Sequence, residues 1–95
     1  MMAENVEQLT VNYEEDGIEI VQELDKEILS KGAWATILFR YRQWQPSKET
    51  YSDDKYTIRR YRKMKGVYRS QSKFNISSRD QAAKIVAALN KWIEN

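Results

Sequence analysis

The sequence predicts an α+β fold, in which a four-stranded antiparallel curved sheet is followed by a C-terminal helix packed on one face of the sheet. Three segments alternate apolar and polar residues and are rich in β-branched and aromatic side chains, which is typical of strands; they are residues 34–45, 55–64 and 67–76. A helical stripe of apolar residues follows them. Since one face of an antiparallel sheet gives that stripe a surface to cover, we expect the order ββββα.

The connections between these strands carry their own signals. Pro46 is expected to end the first of the three strands, because proline lacks the backbone donor that a strand ladder needs. A polar connection then leads to the second strand. Lys65 and Gly66 are expected to form a two-residue hairpin turn before the third strand, because glycine accepts a positive φ.

Residues 18–31 fit two kinds of element. Their apolar residues recur at helical spacing before Gly32, which favours an amphipathic helix. The runs 18–20 and 26–29 also fit an edge strand. The resemblance described below favours the strand, and the predicted sheet includes it.

The final helix has a defined start. Ser78 and Gln81 match a capping box, in which the serine caps the first turn and the glutamine reaches back. The apolar stripe behind them spans about four turns. Its residues are Ala82, Ile85, Val86, Leu89, Trp92 and Ile93.

The 95 residues amount to one domain, since domains most often have about 100–150 residues. Residues 1–16 are polar and acidic without a sustained period, so we expect a disordered tail there and a single domain over 17–95. The sequence has no signal-peptide pattern and no run of about 18 apolar residues. We therefore expect a cytoplasmic protein that does not bind a membrane.

The chain contains no histidine and no cysteine. Their absence excludes zinc sites built from these residues, nucleophile pairs that need histidine, and the CxxC redox motif. The three glycines form no phosphate-binding loop. We therefore expect a protein that is not an enzyme and that needs no metal and no small-molecule cofactor.

The net charge of +2 conceals an asymmetry along the chain. Residues 1–37 hold nine acidic and two basic side chains, whereas residues 38–74 hold eleven basic and three acidic ones. Residues 75–95 are close to neutral, with three basic and two acidic side chains. The basic block also carries most of the aromatic residues. An asymmetry of this kind indicates the chemistry of the partner rather than the fold.

Alternation assigns the side chains to the two faces of the predicted sheet. The face under the helix is expected to hold Ile37, Phe39, Tyr41, Tyr56, Ile58, Tyr68, Phe74 and Ile76. The opposite face is expected to form the binding site, and its residues are Trp34, Arg40, Arg42, Trp44, Arg59, Tyr61, Lys63, Arg69 and Lys73. In this register Arg60 and Arg62 fall on the helix side, and a one-residue bulge would exchange them with their neighbours.

Basic residues interleaved with rings on an open sheet predict a module that binds single-stranded nucleic acid, DNA or RNA. Cations bind phosphates, and rings stack on unpaired bases, which a duplex hides. The alternative is a protein–protein interaction module of the same fold, in which Trp34, Leu38 and Trp44 contact a partner, since large exposed apolar clusters mark interfaces. A merely solvated face is a third interpretation.

The element order resembles a single Pur-type repeat and the single-stranded-DNA-binding core of the family of the transcriptional coactivator positive cofactor four. The likeness lies in the strand Ile37–Trp44, the basic strand Tyr56–Arg62 and the run Lys73–Ser78 that leads into the helix. It covers about residues 18–95. It implies that the sheet face away from the helix binds single strands, and that two copies form a homodimer through their C-terminal helices. The loop 46–54 and the acidic tail depart from those families.

Overall fold

The computed structural model describes residues 3–94. Six antiparallel strands form one curled sheet, and one α-helix follows it. The elements are β1 (Tyr13–Glu15), β2 (Ile18–Ser30), β3 (Trp34–Gln45), β4 (Thr50–Tyr51), β5 (Lys55–Met64), β6 (Val67–Ile76) and α1 (Arg79–Ile93). The order across the sheet is β1-β2-β3-β5-β6, and β4 pairs with β3. The predicted α+β class is confirmed, but the sheet has six strands rather than four.

The four predicted strands are the four long strands of the sheet. β3, β5 and β6 have the predicted bounds, residues 34–45, 55–64 and 67–76. The segment 18–31 is the strand β2 rather than a helix, because pairing with β3 decides between two local patterns. Its register shifts at Leu24 and Leu29, which disturbs the alternation and explains why the segment also fits helical spacing.

The two additional strands are short. β1 forms a hairpin with β2 through Asp16 and Gly17, whose φ angles of 52° and 80° suit a two-residue turn. β4 pairs with the end of β3, with Tyr51 opposite Trp44. The connection after Pro46 is therefore folded back on the sheet.

One face of the sheet, the core face, carries the buried core. Ala35, Ile37 and Phe39 of β3 have no exposed surface, and they lie together on this face as predicted. Thr57 and Tyr61 of β5 are buried beside them. The register between β3 and β5 places all five of these side chains on the same side of the sheet.

The N-terminal segment covers the core face. Its buried residues, all part of the core cluster, are Ala3, Val6, Leu9 and Val11. The sequence predicts a disordered tail over residues 1–16, whereas the structure packs residues 3–11 on the sheet; Met1 and Met2 lie outside the described residues. A segment with few apolar residues shows no sustained period, yet each of these four is buried in one cluster with Ala35, Ile37 and Phe39 and so is removed from water.

Polar contacts hold the N-terminal segment in place. The Lys26 ammonium group donates hydrogen bonds to the backbone carbonyls of Glu7 and Leu9, both at 2.7 Å. The Thr10 hydroxyl donates to a carboxylate oxygen of Glu23 at 2.6 Å. Both Lys26 and Glu23 belong to β2, so the segment is tied to the acidic side of the sheet.

The helix α1 starts as predicted but does not pack as predicted. The Ser78 hydroxyl accepts the Gln81 N–H at 3.0 Å, and the Gln81 side chain accepts the Ser77 N–H at 2.7 Å. Within the described range no residue of α1 is buried, and Trp92 is 68% exposed. The expectation that this helix covers the core is wrong, because the N-terminal segment occupies that face.

The faces of β5 and β6 differ from the predicted assignment. Leu38 of β3 pairs with Ile58, which places Arg60 and Arg62 on the same face as Trp34. We call this second face the open face. Four residues that were predicted in the core lie on the open face instead: Tyr56, Ile58, Phe74 and Ile76. The sequence allowed for an exchange of Arg60 and Arg62 with their neighbours through a one-residue bulge, whereas in the structure the whole of β5 is exchanged and its pairing with β3 has no bulge.

Candidate functional site

The residues of the predicted binding site divide between the two faces of the sheet. Those on the open face are Trp34, Arg40, Arg42, Trp44 and Arg69. Those on the core face are Arg59, Tyr61, Lys63 and Lys73. The pairing of β3 with β5 runs without a bulge, so alternation carries each residue of β5 to the face of its partner. The nine residues therefore do not form one surface.

The ring of Tyr61 is not accessible to a nucleic-acid base. Its side chain is 6% exposed and packs in the core cluster. Burial raises the pKa of its phenol, the nearby Arg59 opposes that rise, and Glu23 adds to it. This residue contributes to the core rather than to a binding surface.

An exposed tryptophan surrounded by arginines stands at one end of the open face. Trp34 is 41% exposed, and the guanidinium carbons of Arg60 and Arg62 lie 4.6 and 5.5 Å from its ring centroid. Arg69 of β6 pairs directly with Arg62 and is exposed beside it. We call Trp34, Arg60, Arg62 and Arg69 the tryptophan–arginine cluster.

The positive charge of this cluster is not neutralised within the described part of the chain. No carboxylate there lies within 4.0 Å of Arg60, Arg62 or Arg69. Arg40, on the same face, is different: its guanidinium group lies 3.0 Å from Asp54 and 3.9 Å from Asp25. The cluster is therefore a local excess of cations around a ring, whereas Arg40 is already paired.

Two members of the cluster, Arg60 and Arg62, were missed by the predicted site. The sequence signal for them is the run Arg59–Arg62. Whichever set of alternate residues of β5 faces the core, this run places at least one cation on each face of the sheet. When the large apolar residues are placed in the core, Ile58 lies inside, and alternation then places Arg60 and Arg62 on the same side. The residues of β5 alone do not determine which of its two sets of alternate side chains faces the core.

At the other end of the open face, side chains of β2, β3 and β4 pack around the ring of Tyr51. Arg42 lies over the ring of Tyr51 at 4.3 Å, and its Nε donates a hydrogen bond to the side chain of Gln22. Trp44 packs edge-on against the same ring, with centroids 5.2 Å apart. The Tyr51 hydroxyl in turn donates to the Glu19 carbonyl at 2.9 Å. Trp44 is half-buried by this packing and offers less ring surface than Trp34.

Between the two ends runs a row of apolar side chains. Leu38, Ile58 and Phe74 pair across β3, β5 and β6 on the open face. Leu38 and Ile58 are half-buried, and Phe74 is exposed at the edge of the sheet. The middle of the open face is therefore apolar, with the cations at its ends.

Other kinds of site have little support in residues 3–94. No group of three acidic side chains in that range is placed to hold a metal ion. None of its helices is long and apolar enough to cross a membrane.

Comparisons with protein-family models, with curated proteins and with solved structures give no match for this chain. The likeness to the Pur-type and positive-cofactor-four families therefore stays a prediction from element order. Any function has to be argued from the geometry of the faces.

Proposed function

We propose that the protein binds single-stranded nucleic acid, DNA or RNA, through the open face of its sheet. The observation that carries this proposal is the tryptophan–arginine cluster. Trp34 offers a ring to a base, while Arg60, Arg62 and Arg69 offer cations to the phosphates on either side of it. Stacking on an aromatic ring requires a base whose face is free, so the geometry favours a single strand over a duplex.

The distribution of charge across the sheet supports the same side. The strands β1 and β2, on one side of β3, hold six acidic side chains and one basic one. The strands β5 and β6, on the other side of β3, hold seven basic side chains and no acidic one. The field of such an arrangement attracts a polyanion to β5 and β6 and repels it from β1 and β2. The tryptophan–arginine cluster lies on the attractive side.

The test is the binding of a labelled single-stranded oligonucleotide of mixed sequence, followed by fluorescence anisotropy over a range of salt concentrations. We expect the double variant R60Q/R62Q to bind more weakly. For two lost phosphate contacts, the slope of log affinity against log salt should fall by about 1.4, since each contact to a single strand contributes about 0.7. The variant W34A should lose about 1–3 kcal/mol, the usual contribution of one stacked base.

The matched control is the double variant K63Q/K73Q. It removes two positive charges, as R60Q/R62Q does, but from the core face of β5 and β6. If it weakens binding as much as R60Q/R62Q does, the cluster is not the site. If the wild-type protein shows no binding at low salt, the proposed function is wrong. Two interpretations of the open face would then remain: capture of an acidic protein surface by the same arginines, and a merely solvated face.

We further propose that the protein acts as a homodimer in which α1 of each copy takes part. What supports this is the exposed apolar surface of α1, where Val86, Leu89, Trp92 and Ile93 all face solvent. A helix of 15 residues is about 22 Å long, and its stripe alone falls short of the ~800 Å² per partner that stable interfaces bury. The adjacent edge strand β6, ten residues long and ending next to α1, supplies the additional surface.

A further inference from the structure

A second feature of the open face is a cavity of about 800 Å³ between β3, the connection to β5 and the start of α1. It lies at the end opposite Trp34, because Arg40 and Arg42 of β3 line it. Lys55 and Arg79 approach from β5 and α1. Cavities that hold small ligands usually measure about 300–1,000 Å³, so its size suits a ligand of moderate mass.

The lining of the cavity is net positive. Its four cations face two carboxylates, those of Asp53 and Asp54. Asp54 is engaged by Arg40 at 3.0 Å. Within the described residues, no carboxylate lies within 4.0 Å of Arg42, Lys55 or Arg79. Three cations are thus left to bind an anion, with little competition from the wall.

Arg42 is held in place before any ligand arrives. Its Nε donates to the Gln22 side chain, and its guanidinium carbon lies 4.3 Å from the centroid of the Tyr51 ring. Tyr51 is itself fixed through its hydroxyl on Glu19. A guanidinium group that is already ordered loses less side-chain entropy on binding, and its planar fork matches the oxygens of a phosphate.

The rest of the wall has two kinds of surface. Leu24, Tyr56 and Ile76 supply apolar area against which a ring can pack, and Ser52 and Ser77 supply polar groups. The hydroxyl of Ser78 is already used to cap α1 through Gln81. The start of the helix therefore contributes the side chain of Arg79 rather than a free anion site of its own.

We propose that this cavity binds a nucleoside that carries a phosphate monoester, either as a free nucleotide or as the phosphorylated end of a strand. The phosphate would lie among Arg42, Lys55 and Arg79, and the base or sugar would lie on Tyr56 and its apolar neighbours. The inference goes beyond the strand binding proposed above, because it needs only the cavity. It holds even if the tryptophan–arginine cluster binds no strand.

The experiment is a titration of the full chain, followed by the backbone amide signals in NMR spectra, with adenosine 5′-monophosphate, adenosine and inorganic phosphate in parallel. We expect the nucleotide to shift the amides around Lys55, Ser77 and Arg79 at lower concentration than either part alone. The variant K55Q/R79Q should weaken nucleotide binding by about tenfold or more, as expected for lost charge-assisted hydrogen bonds. The core-face variant K63Q/K73Q, which removes the same charge, should bind the nucleotide like the wild type.

Three outcomes would overturn the proposal: adenosine binds as tightly as the nucleotide, inorganic phosphate does so, or K55Q/R79Q binds as tightly as the wild type. A pair of oligonucleotides with and without a 5′-phosphate separates the two sources of the ligand. If the phosphorylated oligonucleotide shifts the cavity amides at lower concentration than the nucleotide, the ligand is a strand end. If the 5′-phosphate makes no difference and the nucleotide still binds, the ligand is the free nucleotide. The titrations with the nucleotide, adenosine and inorganic phosphate do not depend on the tryptophan–arginine cluster, so failure of the strand-binding proposal is read separately.

Discussion

Tyr61 carries a hydroxyl into the core of the protein, and its titration should be visible in stability. Burial raises the pKa of this phenol, with a smaller opposing effect of the Arg59 charge. A group that holds its proton more tightly in the folded state than in the unfolded state makes the free energy of unfolding fall as the pH rises. The loss begins near the unfolded pKa of about 10 and continues up to the raised value. Below that window Tyr61 is neutral in both states and contributes no pH dependence.

The measurement is urea unfolding of the wild type and of Y61F between neutral pH and the alkaline limit of folding. The wild type should lose stability above pH ~10 more steeply than Y61F, because phenylalanine has no proton to lose. Every other side chain is common to the two proteins, so the difference between the two curves isolates Tyr61. Two parallel curves would show that the phenol is not buried in solution.

Thr57 explains why the sequence did not show which side chains of β5 face the core. It is fully buried, and its hydroxyl is satisfied by the Asn75 side chain at 2.7 Å. The Arg59 Nε donates to the same oxygen at 3.2 Å. A buried hydroxyl with such partners is tolerated in a core. By hydrophobicity alone, Ile58 is expected in the core in place of Thr57. The residue that makes burial of Thr57 acceptable is Asn75, which lies 18 residues away on β6.

At the scale of elements, the bounds of β3, β5, β6 and α1 followed from alternation, from Pro46 and Gly66, and from the Ser78 cap. These signals lie within a few residues of the element that they define, which is why they can be read from a single sequence. Local signals of this kind do not show which side chains of each strand face the core or which segment covers the sheet. Both depend on which distant segment packs on the core face, and the N-terminal segment does so in place of α1.

The N-terminal segment should therefore contribute to stability as a core element. Leu9 is 7% exposed in the core cluster, and its replacement in L9A removes buried apolar volume. We expect L9A to lower the free energy of unfolding by about 2–3 kcal/mol, within the range for buried leucines. The control is L29A in β2, where the same change affects a side chain that is 57% exposed and should cost less than about 0.5 kcal/mol. Equal losses for the two variants in urea unfolding would mean that residues 3–11 do not cover the sheet.

The whole molecule is flat, measuring 48 × 39 × 17 Å. A single sheet covered on one face leaves the other face open, and this chain also leaves the apolar stripe of α1 open. Exposed apolar surface of this extent usually marks an interface. The acidic strands lie on one side of β3 and the basic strands on the other, so a polyanion is attracted to the side that carries β5 and β6. The tryptophan–arginine cluster lies near the β5–β6 turn, and α1 begins at the far end of β6.

The homodimer proposed through α1 and β6 makes the last prediction. A carboxylate in the middle of the exposed stripe would be buried without a partner when two copies associate, and burying an unpaired charge is costly. We therefore expect the wild type to sediment as a dimer at micromolar concentration in analytical ultracentrifugation, and L89E to sediment as a monomer with unchanged circular dichroism. The variant A87E adds the same charge to an exposed position on the opposite side of the helix and should remain dimeric. A wild type that stays monomeric at these concentrations, or an A87E that dissociates as completely as L89E, would remove α1 from the interface. Because stacking on Trp34 needs only one copy, a monomeric L89E should still bind a single-stranded oligonucleotide with lower avidity rather than lose binding altogether.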